Sequence, residues 1–368
     1  MRATASRILV AASLLTSVAS CGSSSESTHV QPAEPVRVSS PEPLAPAPQE
    51  APADDAGVDA GEPDAPLDAA PTFTNYVRTN PSASTSIGGP SSGSLRGGVA
   101  LPERTPGFLS NPRRTNATAF YGTAELVDAL VEAARVVDES EPGGTLVVND
   151  IGFREGGPID HHGSHQAGRD VDVLFYLTDP QGHPIASVGA PIDPNGEGTD
   201  YRDLLDPSDD VPLRIDLSRT WRFIEALLTP RDNSVQRMFI VEHLRTLLLQ
   251  EAQRRRAPRA VIRRFEEITC QPSYAHDDHI HIRFFCSADD IGAGCADGNP
   301  MYPWRNAQLD EAGVDAVMEQ RPRRRRSRIV TEAEVRENAP PMHASVRTFL
   351  DWRETWTTQP HPGRTYCR

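Results

Sequence analysis

The sequence predicts an α+β fold, a central and mostly antiparallel sheet with flanking helices and long irregular N- and C-terminal extensions. Three observations predict it. Helical and strand-like patterns follow one another in mixed order, without the regular alternation of a βαβ protein. The stretch His279-Ile-His-Ile-Arg-Phe284 alternates polar and apolar residues with period two, as a strand with one face in a core does. Residues 22–71 are Pro, Ala, Ser, Asp and Glu with almost nothing apolar larger than Val or Leu, and cannot bury enough surface to fold.

Residues 1–21 combine a basic start (Arg2, Arg7), an apolar run over 8–18 and small residues ending at Cys21. The run is too short for a stable membrane span and reads as a secretory signal. The ending Val18-Ala-Ser-Cys21 resembles a bacterial lipobox, which implies cleavage before Cys21 and lipidation of its thiol; the alternative is an ordinary signal with an incidental cysteine. Either way the mature chain leaves the cytoplasm, and a lipidated Cys21 would make it a membrane-anchored lipoprotein of the bacterial periplasm. Residues 22–71 then form an extended acidic tether. Its carboxylates supply much of the formal net charge of -14, so no basic partner follows for the folded part.

The folded part divides into a domain over 72–300 and a C-terminal extension over 301–368. Residues 80–102 are rich in Gly, Ser and Pro, and composition alone makes them a linker. Thr123 can cap a helix to about residue 137, where Leu126, Leu130, Ala133, Ala134 and Val137 recur at helical spacing. A strand is expected over 145–150, another over 170–177, and a turn at Asp179-Pro-Gln-Gly182. Ser218 can cap a helix to about 228, a buried strand follows over 237–241, then Arg-rich helices over 242–256 and 258–267, and the His279 strand closes the core. With Cys21 lipidated, four cysteines remain in an oxidising compartment, allowing three connectivities. The short loop between them favours Cys286 with Cys295, leaving Cys270 with Cys367. No Cys-x-x-Cys occurs, which argues against a cysteine zinc site.

Two stretches carry the chemistry, Gly163-Ser-His-Gln-Ala-Gly-Arg-Asp-Val-Asp-Val173 and His276-Asp-Asp-His-Ile-His-Ile-Arg283. On strands, Asp170 and Asp172 share one face, and His279, His281 and Arg283 share another. One loop His, one Asp and one strand His would give a zinc ion three protein ligands, placing a zinc site on the sheet face with an open position, the mark of catalysis. Such N/O donors also suit other divalent ions. A lone His-x-His means little; joined to Ser-His-x-x-Gly-x-Asp-x-Asp it becomes specific.

The two stretches resemble the penicillin-insensitive murein endopeptidases, within the wider group of lysostaphin-like, D-Ala-D-Ala metallopeptidase and hedgehog-type folds. The group's His-x6-Asp followed by His-x-His corresponds to His165, Asp172 and His279-Ile-His281. Residues 84–102, Phe120-Tyr121-Gly122 and Gly156-Gly157 also look like that family, so the similarity spans about 80–300 and makes the apparent linker part of the fold. The resemblance implies one Zn2+ held by His165, Asp172 and His281, a catalytic His279 that is not a ligand, and a further active-site His276. Ser273 stands where the family tends to have Trp, which bears on substrate contacts. Asp170 is an alternative ligand or a second carboxylate that orients a ligand imidazole. Ser164 supports the loop, and His161 and His162 read as incidental neighbours.

The resemblance implies a zinc-dependent hydrolase of peptidoglycan, an endopeptidase cutting the D-alanyl-meso-diaminopimelyl amide of cross-linked peptides. The alternatives are a carboxypeptidase or dipeptidase acting on D-amino acids of the stem peptides, and a non-catalytic murein-binding lipoprotein. No His-Glu-x-x-His occurs, so the glutamate base of that class is missing, and His279 is the candidate for proton handling or oxyanion stabilisation, two roles the sequence does not divide. The run 321–328 reads as a solvated basic segment or an attachment to anionic envelope polymers; nucleic acid is not an expected partner of an exported chain. Trp304, Trp352 and Trp356 are expected to pack the extension onto the core, the alternative being aromatic contacts to sugars.

Overall fold

In the computed structural model, residues 76–114, 116–230, 234–272, 274, 276–320, 341–357 and 367 are described. All of them belong to one compact unit, Asp68–Arg368. The expectations for the signal, Cys21, the tether, Ser273 and the run 321–328 lie outside these residues.

A seven-stranded sheet organises the unit. Its strands, labelled in chain order, are β1 (Arg104–Thr105), β2 (Phe108–Ser110), β3 (Leu146–Val148), β4 (Asp170–Leu174), β5 (Val235–Phe239), β6 (Thr269–Cys270) and β7 (His279–Phe284). Their order across the sheet is β6-β5-β7-β4-β3-β2-β1. Four of the six pairings are antiparallel and two, β2 with β3 and β5 with β6, are parallel, so the sheet is mixed and mostly antiparallel, as expected. The parallel pairings join strands whose connection runs through a helix, α1 between β2 and β3, and α3 and α4 between β5 and β6.

The helices are α1 (Ala124–Ser140), α2 (Leu217–Leu228), α3 (Glu242–Arg254), α4 (Arg259–Ile268), α5 (Ala288–Gly292), α6 (Pro303–Ala312) and α7 (Ala344–Thr357). Thr123 caps α1, its hydroxyl accepting from Leu126 N. Leu126, Leu130, Ala133, Ala134 and Val137 are buried, as the spacing predicts. At α2 the cap is Asp216, not Ser218: the Asp216 carboxylate accepts from Arg219 N and pairs with the Arg219 guanidinium at 2.5 Å. A carboxylate also suits the positive end of the helix, and Ser218 Oγ instead donates to Glu141 Oε2. Trp221 of α2 packs edge-on against Phe265 of α4.

Other strands differ in extent from expectation. The predicted strand 170–177 divides at residue 174, because Leu177–Thr178 pairs into a separate four-stranded sheet with Pro184–Ile185 and Pro212–Ile215. The turn between the first two is closed by Gly182 N donating to Asp179 O. The buried strand after α2 starts at Val235 and ends at Phe239, two residues earlier than the pattern suggested.

The apparent linker is ordered. Thr85–Ile87 pairs with Ser94–Arg96, and Val99–Ala100 pairs with Tyr121–Gly122. Its glycine content reflects close backbone approach: a Cβ on Gly93 would stand 2.5 Å from the Ile87 and Gly89 carbonyl oxygens. Ser86 is fully buried and bridges Ala167 O and Arg169 Nε. The small polar residues that mimic a linker are here packing residues.

Two disulfides, Cys286–Cys295 and Cys270–Cys367, join the pairs that the spacing favoured. Of the three tryptophans, Trp356 is buried, Trp304 lies under the Arg264 guanidinium and Trp352 remains 46% exposed.

Candidate metal centre and active site

β4 and β7 are neighbours, and their register sets His281 opposite Asp172 and Arg283 opposite Asp170. The period-two alternation on each strand therefore places two carboxylates beside a histidine and an arginine on one face, while Val171, Val173, Ile280 and Ile282 fill the core on the other. The loop before β4 brings His165, fully buried, to the same place. That loop is threaded past the N-terminal segment: Gly156 has φ 70°, and a Cβ there would meet Gln166 O at 2.2 Å.

Three donor atoms converge. His165 Nε2 lies 3.3 Å from His281 Nδ1 and 3.5 Å from Asp172 Oδ1, and His281 Nδ1 lies 3.3 Å from the same oxygen. Donors about 2.0–2.1 Å from a tetrahedral zinc stand about 3.3–3.4 Å apart, so the triangle has the edge length a zinc ion requires.

Hydrogen bonding orients both imidazoles. His165 Nδ1 donates to the Ile151 carbonyl at 2.8 Å, which leaves the lone pair of the neutral ring on Nε2. His281 Nε2 bonds Asp170 Oδ1 at 2.7 Å, which frees Nδ1. Asp172 Oδ1 is buried and accepts no hydrogen bond among the described residues, although both nitrogens face it. Two lone pairs and a carboxylate oxygen turned toward one point are donors that could hold a cation. Asp170 thus lies behind the donors: its Oδ1 also receives Ser164 Oγ at 3.3 Å and Arg283 Nε at 2.6 Å.

Two further histidines border the triangle. His279 Nε2 stands 3.5 Å from Asp172 Oδ1, and its Nδ1 bonds Asp278 Oδ1 at 2.7 Å. Burial disfavours the His279 cation, but Asp278 and Asp172 outweigh it and push the pKa up to about 9. His276 Nδ1 donates to Tyr274 O, and its ring lies 4.7 Å from that of His279. Burial, and then the charge of His279 and His281, hold His276 well below the usual imidazole range. Burial also opposes a charged His281, yet Asp170 and Asp172 raise its pKa. This surplus of negative charge is what a divalent cation would neutralise.

His162 belongs to the cluster, contrary to its reading as an incidental neighbour. With His165 and Asp172 it forms a set of possible metal ligands within 4.8 Å of one another. Its Nδ1 lies 3.5 Å from Asp172 Oδ2 and its Nε2 3.1 Å from Asp150 Oδ2. The signal was present as His162-Gly-Ser-His165, a His-x-x-His spacing, but it lies in a loop where no periodicity indicates direction. His161 is exposed. A cavity of about 690 Å³ bordered by α1 and α2 contains none of these histidines.

The sequence is similar to known proteins over most of this unit. Residues 86–328 match the family described as penicillin-insensitive murein endopeptidase. A protein of that name from Haemophilus influenzae is 27% identical over 232 residues, covering 59% of this chain and 72% of the relative. One from Klebsiella pneumoniae is 27% identical over 229 residues, with the same shares covered. A third, from Salmonella heidelberg, is 24% identical over 235 residues, 61% of this chain and 74% of the relative. The β4 and β7 residues, the loop that carries His165 and the ordered N-terminal strands all fall within the matched span, and the chain belongs to the penicillin-insensitive murein endopeptidase family.

Proposed function

We propose that this protein is a zinc-dependent murein endopeptidase that hydrolyses the D-alanyl-meso-diaminopimelyl amide in cross-linked peptidoglycan peptides, and that it works in the periplasm, anchored through a lipidated Cys21. Family membership supports the endopeptidase class. The observation that carries the metal reading is the triangle of His165 Nε2, His281 Nδ1 and Asp172 Oδ1, with its orphaned carboxylate oxygen.

His165, Asp172 and His281 would hold the ion, and His162 offers a further donor through Nδ1. A zinc ion there would acidify a water molecule and polarise the scissile carbonyl. The remaining work falls to the chain's own groups. Asp170 keeps the His281 proton on Nε2, and the Ile151 carbonyl keeps the His165 proton on Nδ1. Asp278 fixes His279 so that Nε2 faces the cluster, where a proton on that atom can hydrogen-bond a developing oxyanion or pass to the departing amine. His276 is oriented through Tyr274 O, which leaves its Nε2 able to accept a proton.

The test is digestion of purified cross-linked muropeptide dimers with products resolved by mass, with and without a chelator, alongside His281→Ala. Dimers falling to monomers in a zinc-restorable manner, and not with the variant, support the reading and identify the bond. Dimers that survive while zinc is bound stoichiometrically overturn the endopeptidase assignment; trimming of monomeric stem peptides would then identify a carboxypeptidase.

A further inference from the structure

We infer that α7 is a positioning element of the active site, with Arg353 and Trp356 acting through the buried carboxylate of Asp277 to hold the turn that presents His276 and His279. The inference rests on the reading of the histidine cluster given above, and α7 lies outside the family-matched span 86–328. Asp277 is fully buried immediately after His276. Its carboxylate receives three donors, all from α7. Arg353 Nη2 reaches Oδ1 at 2.6 Å and Arg353 Nε reaches Oδ2 at 2.8 Å, a bidentate pair, and Trp356 Nε1 reaches Oδ2 at 3.0 Å. The Asp277 carbonyl accepts from Ile192 N at 2.8 Å.

The residues on either side act in the cluster. His276 packs against His279 and His281, and Asp278 orients His279. His276 has φ 53°, a left-handed backbone that a side-chain-bearing residue keeps only when its surroundings impose it. Asp277 is the anchor that imposes it. A carboxylate buried this deeply stays in place only while its countercharge does, so loss of Arg353 would draw Asp277 toward water and move the histidines on both sides. The helix is itself tied down: Gln271 Nε2 donates to Trp356 O, Gln271 O accepts from Cys367 N, and Cys367 is bonded to Cys270 of β6.

The test uses the full chain loaded with zinc and compares Arg353→Met, Arg353→Lys and Trp356→Phe with wild type on muropeptide dimers. Displacement of catalytic groups by about 1 Å costs on the order of 100-fold, so Arg353→Met is expected to lower kcat by about 10- to 100-fold, with KM within about threefold of wild type and zinc content unchanged. Arg353→Lys restores the charge without the bidentate fork and recovers part of kcat. Trp356→Phe keeps the ring, removes one donor and gives a smaller fall. Hydrogen exchange read by mass spectrometry supplies a measure independent of activity: amides of residues 276–279 exchange faster by about tenfold or more in Arg353→Met, while those of β3 are unchanged. The inference fails if kcat stays within about twofold of wild type, if exchange at 276–279 is unchanged, or if the loss of kcat only follows lost zinc or lost folded protein. Should Arg353→Met not fold, Trp356→Phe decides on the same readouts. Should wild-type enzyme cleave no dimer, the functional reading fails, and the exchange measurement still decides whether α7 holds the turn.

Discussion

Asp170 and Asp172 sit two residues apart on β4 and face the same way, yet their surroundings divide their work. Asp172 turns an oxygen without a hydrogen-bond donor toward two imidazole lone pairs, whereas on Asp170 the donors from His281, Arg283 and Ser164 all converge on Oδ1 and only Oδ2 is left without one among the described residues. Alanine at Asp172 should abolish stoichiometric zinc binding and activity together, as metal analysis after gel filtration would show. Asp170→Asn should leave a folded protein whose zinc affinity, measured by chelator competition, is weaker by about 10- to 100-fold. His279→Ala should retain zinc and lose about 10²- to 10⁴-fold in kcat. The pH dependence of zinc retention has a definite sign. Protons compete with the metal for the facing nitrogen of His281, so zinc retention is greatest at alkaline pH and declines as pH falls. Because Asp170 and Asp172 raise the pKa of His281, that decline begins on the alkaline side of the ordinary value. A zinc titration across pH 5–9, as an order-of-magnitude window about the histidine pKa, would contradict this if occupancy rose on acidification.

At the scale of elements, the helices were legible where a cap and an apolar stripe coincided. Thr123 and the stripe from Leu126 to Val137 define α1, and Thr123→Ala should lower stability by about 1 kcal/mol in denaturant unfolding. Trp221, fully buried between helices, should cost about 3–5 kcal/mol on truncation to Ala. What escaped reading were choices among equivalent local signals. Asp216 and Ser218 both satisfy the rule for an N-cap; the guanidinium of Arg219 and the distant Glu141 selected Asp216, and neither partner's placement is visible from spacing. Residues 80–102 show the same limit in reverse. Their composition is that of a flexible segment, but Gly93 is small because the nearby Ile87 and Gly89 carbonyls press on it, and Ser86 because Ala167 and Arg169, far away in sequence, close on it.

For the whole molecule, the disulfides make a graded prediction. In the chain-entropy picture, the Cys270–Cys367 bridge, spanning 97 residues, stabilises by about 4.7 kcal/mol and Cys286–Cys295, spanning 9, by about 2.6 kcal/mol. Paired serine variants compared by denaturant midpoint should therefore lose more at the first than at the second; equal losses would contradict the ranking. The sequence alone determined which residues could act as donors and how they repeat along each strand, because side chains on a strand alternate faces whatever the strand pairs with: Asp170 with Asp172, and His279 with His281. It also determined, through resemblance, the family, while short loop spacing only favoured the disulfide pairs that the structure joins. The tertiary structure alone decided which donors meet. The register of β7 against β4 set His281 on Asp172, the loop geometry brought in His162, and hydrogen bonds donated to Ile151 O and Asp170 Oδ1 fixed which nitrogen of each imidazole faces the site. The meetings of His165 with His281 and of Asp170 with His281 join segments more than 100 residues apart, and the nearer contacts of His162 and Ile151 lie in loops, so local periodicity carries no information about either.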